Sequence, residues 1–211
     1  MKILFTGFEP FGGETVNPSF EAVRRLPERL GTAEIFKAEI PVSFADSGPA
    51  LEAAMASCHP DAVICVGQAG GYAALAVERV AINLRDAAAP DNRGLQPAEQ
   101  PVVPGGPDAC FATLPVKRLA AALREGGIPA FVSNSAGTYV CNNLMYTLLE
   151  RIHRDNLPVR GGFIHVPYAP EQAAGKAPGT PSMALEQITR GLELAVGVLS
   201  AEEAHPAAGA D

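Results

Sequence analysis

The chain has 211 residues, of which 47% are hydrophobic, and a formal net charge of −7 at pH 7. This size and apolar content are typical of one folded globular domain and exclude an intrinsically disordered chain. Because the sequence contains no basic cluster, nucleic acids and anionic membranes are unfavourable partners.

Strand and helix signals alternate along the chain. Short apolar runs predict strands at residues 2–8, 33–42, 61–67, 75–84, 130–133 and 162–166. Helical spacing or an alanine-rich composition predicts helices at residues 17–29, 43–57, 115–124, 141–153 and 182–199. The remaining segments are predicted to form a turn at 68–71, long loops at 86–114 and 167–181, and a frayed tail at 201–211.

This alternation predicts the fold class. Residues 1–200 are expected to form a single α/β domain, a three-layer α/β/α sandwich with a largely parallel (mixed) twisted sheet. Folds of this class bind ligands at the carboxyl ends of their strands. The residues at or near predicted strand ends, which we therefore expect at one edge of the sheet, are Phe8, Gln68, Ser133 and His165.

The cysteines and apolar runs indicate the cellular compartment. The four cysteines lack the spacing of a zinc site. The apolar run that opens the chain is too short for the core of a secretory signal, and no stretch approaches the ~20 apolar residues of a membrane span. We therefore expect a cytoplasmic protein with reduced thiols.

Cys141 is the cysteine in the most favourable position for chemistry. It follows the predicted strand at 130–133, and apolar residues recur after it at helical spacing, so it falls in the first turn of a helix. Unpaired backbone N–H groups and the positive end of the helix dipole favour a nucleophilic thiolate there. The alternative is a buried structural thiol, which is what we expect of Cys65 in the middle of a strand.

A cysteine nucleophile needs a base, and one of the four histidines is well placed to act as one. His205 lies in the predicted tail, His59 precedes a proline in a turn, and His153 lies about 18 Å from Cys141 along the predicted helix. His165 interrupts an apolar strand near its carboxyl end, which directs it towards the expected ligand edge. The alternative is a core histidine that is bonded to the backbone.

Glu78 is a carboxylate inside an apolar, strand-like run. A buried carboxylate needs a partner, and the adjacent Arg79 points to the opposite face of a strand. Glu78 is therefore available to a group such as an imidazole, or else it lies at the sheet rim and faces solvent.

The glycine-rich loop at residues 7–13 has neither a G-x-G-x-x-G nor a P-loop pattern. Its two phenylalanines, Phe8 and Phe11, predict either the apolar wall of a pocket or ordinary core packing.

Together, these segments make the chain similar to the pyroglutamyl peptidase I (pyrrolidone-carboxylate peptidase) family of cysteine peptidases. The matching segments follow the family's order from residue 2 to about residue 197, and two of them carry its catalytic signatures. They are Thr6-Gly7-Phe8-Glu9-Pro10-Phe11-Gly12-Gly13 with Asn17-Pro18-Ser19, Glu78-Arg79-Val80-Ala81-Ile82-Asn83, Ser135-Ala136-Gly137-Thr138-Tyr139-Val140-Cys141-Asn142, and His165-Val166-Pro167.

The resemblance implies an activity and a set of site residues. It implies hydrolysis of the bond after an N-terminal pyroglutamyl residue of peptides, through a thioester on Cys141, with His165 and Glu78 completing a triad. It also implies a cytosolic enzyme that uses no cofactor or metal and that commonly forms a homotetramer in bacteria. The implied pocket residues are Phe8, Phe11, Tyr139 and Val140 around the ring, with Asn17 and Gln68 as polar contacts to the lactam.

One departure from the family lies at Ala87-Ala88-Ala89, where many relatives carry a basic and then a larger aliphatic residue. The small side chains of Ala88 and Ala89 are expected to loosen a pocket wall and to alter affinity. The loop at 86–107 is expected to be a wall or gate over the site, or an oligomer contact. Two alternative functions remain: a pyroglutamyl-ligand binding protein with little or no catalysis, and another small-molecule enzyme on a phosphorylase-like sandwich.

Overall fold

Strands and helices alternate through the computed structural model, which describes residues 1–204. The strands are β1 (Lys2–Phe8), β2 (Arg29–Leu30), β3 (Ala33–Ile40), β4 (Ala62–Gln68), β5 (Leu75–Glu78), β6 (Val80–Ile82), β7 (Ala109–Phe111), β8 (Ala130–Ser133) and β9 (Arg160–Val166). The helices are α1 (Pro18–Arg24), α2 (Ser47–Cys58), α3 (Val116–Glu125), α4 (Val140–Arg154), α5 (Pro170–Ala174) and α6 (Leu185–Ala204). None of the described helices is long and apolar enough to cross a membrane.

The main sheet has the strand order β2-β3-β1-β4-β9-β5-β8. Strands β3, β1, β4 and β9 are parallel, whereas β5 is antiparallel to β9 and parallel to β8. Strand β4 lies between two parallel neighbours, and its continuous apolar run is buried on both faces. The predicted mixed, mostly parallel α/β fold is confirmed.

Helices cover both faces of this sheet. Helices α1, α3 and α6 pack on one face, while α2, α4 and the β6–β7 pair cover the other. Along β4 and β9, side chains alternate between these two cores, so Cys65 and Phe163 lie towards α4, and Ile64 and Ile164 lie away from it. The face towards α4 carries the candidate site.

Several predicted boundaries are wrong for identifiable reasons. Helix α1 ends at Arg24 rather than at residue 29, because Pro27 disfavours helical conformation in the residue before it. The predicted strand at 75–84 is two strands that belong to different sheets, with Arg79 between them. The predicted long loops contain β7 and α5. Helix α6 includes residues 201–204 of the predicted tail, and residues 205–211, with His205, lie outside the described part of the chain.

The prediction that four strand-end residues share one edge is correct for three of them. Phe8, Gln68 and His165 lie at or near the carboxyl ends of parallel strands. Ser133 does not, because β8 runs in the opposite direction to β9 and brings Ser133 level with Glu78. An apolar run of four residues carries no information about strand direction.

Candidate active site

His165 and Glu78 meet on the sheet face that packs against α4. Their strands, β9 and β5, are antiparallel neighbours, and the register pairs Ala76 with His165 and Glu78 with Phe163. Nδ1 of His165 lies 2.8 Å from Oε1 of Glu78. Glu78 is completely buried, so it is not the solvent-facing rim residue of the alternative interpretation. A buried carboxylate at this distance fixes the orientation of the imidazole and stabilises its charged form.

Cys141 lies on the other side of the His165 ring. It is the second residue of α4, it lines the same cavity as His165, and it is near enough to raise the pKa of the imidazole. Because Nδ1 is occupied by Glu78, Nε2 is the ring nitrogen that remains for the thiol. The three side chains therefore follow one another in the order sulfur, imidazole, carboxylate.

Electrostatics in this cluster favour a protonated imidazole. Burial by itself lowers the pKa of His165. The charge and hydrogen bonding of Cys141, together with those of Glu78, raise this pKa by a larger amount. The pKa of His165 is consequently raised from 6.5 to about 9. At neutral pH the ring carries the proton that a leaving group needs, directly beside the sulfur.

The other cysteines have the character of structural thiols. Cys141 is partly exposed, whereas Cys58, Cys65 and Cys110 are buried. Burial raises the pKa of Cys65 to about 12. Burial also raises the pKa of Cys58, at the end of α2, and of Cys110, in β7. None of these three is available as a thiolate near neutral pH.

The first turn of α4 is held in place by side chains rather than by a cap. Tyr139 occupies the N-cap position without a side-chain cap hydrogen bond, so the first backbone N–H groups of the helix remain available to a ligand. Buried Asn142 fastens the turn to β6. Its Oδ1 accepts from the Ile82 N–H at 3.0 Å, and its Nδ2 donates to the carbonyls of Ile82 and Leu84 at 2.9 and 3.0 Å.

Gly67 provides the space in which the sulfur lies. A Cβ atom at this position in β4 would be 2.9 Å from Sγ of Cys141 and 2.6 Å from Cζ of Phe163. Both distances are shorter than any ordinary van der Waals contact, so only glycine fits without displacement. The Phe163 ring in turn packs on His165, with ring centroids 4.7 Å apart.

A cavity of about 330 Å³ opens over Cys141 and His165. All six residues that the resemblance implied for the pocket line it: Phe8, Phe11, Asn17, Gln68, Tyr139 and Val140. Sequence reasoning missed four further lining residues, Val42, Gly70, Ala136 and Tyr168. A signal existed for three of them, because Val42 follows β3, Gly70 follows β4 and Tyr168 follows β9 at the same edge of the sheet.

The aromatic wall of the cavity is supported by the proline-rich loop. Tyr139 packs edge-on against Phe44, with centroids 5.4 Å apart, and its hydroxyl donates to the carbonyl of Pro90 at 2.9 Å. Loop 86–107 therefore supports the wall from behind and does not line the cavity. Ala88 and Ala89 are exposed and lie outside the cavity lining, so the expected loosening of a pocket wall at these positions is not found.

The two amide side chains differ in how much capacity they have left for a ligand. Oδ1 of Asn17 accepts from the backbone N–H and hydroxyl of Ser19 at 3.1 and 2.7 Å, and its Nδ2 donates to the carbonyl of Glu9 at 2.9 Å. Asn17 therefore serves mainly to cap α1 and to shape the preceding loop. Oε1 of Gln68 accepts from Gln172 at 2.9 Å, which leaves the Gln68 amide nitrogen for the cavity.

Metal coordination is not supported in the described part of the chain. Residues 1–204 contain no group of three or more His, Cys, Asp or Glu side chains that could hold a metal ion. The cavity instead combines a cysteine, a charged imidazole and an apolar wall, an arrangement suited to nucleophilic attack on an acyl group.

Comparisons with known proteins agree on one family. The family model described as pyroglutamyl peptidase matches residues 1–202. The pyrrolidone-carboxylate peptidase of Erwinia tasmaniensis is 54% identical over 203 residues, covering 96% of this chain and 94% of the relative. The crystal structure of Bacillus amyloliquefaciens pyroglutamyl peptidase I is 50% identical, with a TM-score of 0.89 over 92% of this chain and 94% of that one. The pyrrolidone carboxyl peptidase of Thermococcus litoralis is 38% identical, with a TM-score of 0.93 over 100% of this chain and 98% of that one.

Proposed function

Since this chain belongs to the pyroglutamyl peptidase family, cysteine peptidases that remove N-terminal pyroglutamate from peptides, we propose that Cys141, His165 and Glu78 perform that reaction here. One observation carries the assignment of roles. A partly exposed Cys141 lines the same cavity as His165, whose Nδ1 lies 2.8 Å from buried Glu78, and the cavity of about 330 Å³ has room for a small ring.

The first half of the reaction forms a thioester. His165 holds the proton of the Cys141–His165 pair, and Glu78 holds the ring and stabilises its positive charge. The sulfur attacks the carbonyl carbon that links pyroglutamate to the next residue. Backbone N–H groups of the first turn of α4 stabilise the resulting oxyanion. His165 then donates its proton to the amine of the shortened peptide, which leaves as the carbon–nitrogen bond breaks.

The second half of the reaction releases pyroglutamate. A water molecule attacks the thioester carbon while His165 accepts its proton, and the carbon–sulfur bond breaks. Pyroglutamate leaves as the free acid, and Cys141 and His165 return to their starting state.

The chemistry of the substrate matches the cavity. The α-amine of pyroglutamate is part of the lactam ring and carries no charge, so an apolar wall suits it better than the carboxylate an ordinary aminopeptidase needs. The lactam N–H and C=O still require partners, because burying either one bare costs about 1–3 kcal/mol. The free amide nitrogen of Gln68 is the donor available to the ring carbonyl.

The resemblance further supports a homotetramer in the cytoplasm, with residues 1–200 as one peptidase domain. Exposed Phe111, with 67% of its surface accessible, and Phe131, with 38%, are consistent with surfaces that other copies of the chain cover. Sedimentation measurements on the purified protein test the oligomeric state.

Hydrolysis of a chromogenic pyroglutamyl amide, with reducing agent present, tests the proposed function. We expect Cys141→Ala to abolish release of the chromophore and the matched Cys65→Ala control to retain it. Full activity of Cys141→Ala contradicts the proposal. Protection of Cys141 from alkylation by 2-pyrrolidone without turnover by the wild type indicates a binding protein, and activity that depends on phosphate indicates a phosphorylase-like enzyme.

A further inference from the structure

Gln172, on the short helix α5, is a buried amide that the reaction steps above leave without a role. It is 8% exposed and connects three segments at the edge of the sheet. Its Oε1 accepts from the Ala169 N–H at 3.0 Å, and its Nε2 donates to the carbonyl of Val16 at 3.2 Å and to Oε1 of Gln68 at 2.9 Å. Of these four residues only Gln68 lines the cavity.

The orientation of the Gln172 amide is fixed by its surroundings. The Ala169 N–H can only donate and the Val16 carbonyl can only accept, so these two backbone groups determine which end of the amide is oxygen. A rotated Gln172 amide would turn its NH2 group towards the Ala169 N–H and its oxygen towards the Val16 carbonyl, so that donor would face donor and acceptor would face acceptor.

This orientation determines the orientation of Gln68 in turn. The Gln172 nitrogen is a donor, so the oxygen of Gln68 must face it, and the Gln68 nitrogen is left to face the cavity. Within residues 1–204 that nitrogen donates to no protein acceptor, so both its N–H groups are available. Without Gln172, the Gln68 amide could rotate and present its oxygen to the ligand instead.

We propose that Gln172 is a positioning residue that holds Gln68 with its N–H towards the ring carbonyl of pyroglutamate. The inference rests on the proposed function, since it names the contact that selects the ring. The carbonyl of the five-membered ring distinguishes pyroglutamate from proline, whose ring offers a charged amine and no acceptor. A donor held at the Gln68 position can hydrogen-bond that carbonyl, whereas a rotated Gln68 would place a second carbonyl oxygen against it.

A double-mutant cycle on KM separates positioning from a merely structural role. The variants are Gln68→Met, Gln172→Met and the double variant, with exposed Glu171→Gln as the matched control on α5. We expect Gln68→Met to raise KM about 10-fold and Gln172→Met about 3-fold to 10-fold, with kcat changed less than about 3-fold. Because Gln172 acts through Gln68, KM of the double variant should lie within about 2-fold of KM of Gln68→Met.

The proposal is overturned if the KM increases of the two single variants multiply in the double variant, or if Gln172→Met leaves KM unchanged. If Gln172→Met does not fold, the isosteric Gln172→Glu takes its place in the cycle, because it keeps the acceptor for Ala169 and loses the donor. The rate of Cys141 alkylation by iodoacetamide should be unchanged in all variants, which separates a rotated Gln68 from a disturbed triad.

The cycle can also be read without turnover, as the 2-pyrrolidone concentration that protects Cys141 from alkylation. We expect Gln172→Met to raise this concentration in the wild-type background. Adding Gln172→Met to Gln68→Met should not raise it further. Failure of the wild type to hydrolyse the amide therefore overturns the proposed function alone, while the protection data still decide the role of Gln172.

Discussion

Replacing Gly67 with alanine adds one methyl group directly beneath the proposed nucleophile. The added carbon would lie 2.9 Å from Sγ of Cys141 and 2.6 Å from Cζ of Phe163. Ordinary contacts between such atoms are about 3.5–4.0 Å, so the sulfur must move by roughly 0.6–1.1 Å and the ring by roughly 0.9–1.4 Å. Because the Phe163 ring packs on His165, the displacement reaches both partners of the sulfur–imidazole pair.

A displacement of this size has a large catalytic effect and a moderate effect on stability. A misplacement of about 1 Å in a reacting group costs on the order of 100-fold in rate, so we expect kcat of Gly67→Ala to fall by about that factor. Overpacking a filled core costs about 1–3 kcal/mol of unfolding free energy. The aromatic residues of the cavity wall are not among the nearest neighbours of the added methyl group, so KM should change much less than kcat.

The assay is steady-state hydrolysis of the pyroglutamyl amide, combined with thermal unfolding. Gly161→Ala is the matched control, since its Cβ on the same face of β9 would lie 2.6 Å from Cδ1 of Ile152, far from the cavity. The control should lose comparable stability and keep its kcat. Wild-type kcat in Gly67→Ala, or an equal loss in both variants, would refute the close approach of sulfur and strand.

Three further predictions concern the partners of the nucleophile and the wall of the cavity. Glu78→Gln should lower kcat by on the order of 10²–10⁴-fold and shift the alkaline limb of the pH–rate profile to lower pH, because Glu78 helps to raise the pKa of His165. An alkaline limb at the wild-type pH would argue against electrostatic coupling between Glu78 and His165. Because the pKa of His165 is raised from 6.5 to about 9, its charge contributes stability that is fully present below pH 6.5 and is lost as the pH rises through about 9. Calorimetry should show this loss of stability in the wild type and not in His165→Gln. The same dependence of stability on pH in both proteins would contradict this role of the His165 charge. Tyr139→Phe removes the hydrogen bond to Pro90 and should cost about 1 kcal/mol of stability and raise KM a few-fold, whereas an unchanged KM would exclude support of the wall through this bond.

Local patterns were sufficient for the parts of the site that depend on single elements. The apolar run of β4 and the helical spacing after Cys141 locate one strand and one helix start, and both are found. His165 emerges by elimination, and a carboxylate in an apolar run needs a partner, which Glu78 has at 2.8 Å. These inferences rest on the cost of burying charge and on helix-end chemistry, which act over a few residues.

Features that depend on distant segments could not be read in the same way. The direction of β8, and with it the place of Ser133, depends on the strand beside which it pairs. The role of Gln172 depends on backbone groups at Val16 and Ala169, and its segment carries no periodic signal. The expectation for Ala88 failed because side-chain size alone does not tell whether a loop residue faces a cavity or solvent.

Stoichiometric alkylation with peptide mapping shows directly whether Cys141 is the nucleophile. The native protein is treated with increasing iodoacetamide, and the activity and modification of each of the four cysteines are measured together. We expect activity to fall in proportion to modification of Cys141 while Cys58, Cys65 and Cys110 remain unmodified, and 2-pyrrolidone to slow both processes equally. Activity that persists when Cys141 is fully modified, or that disappears while Cys141 is intact, would contradict this expectation.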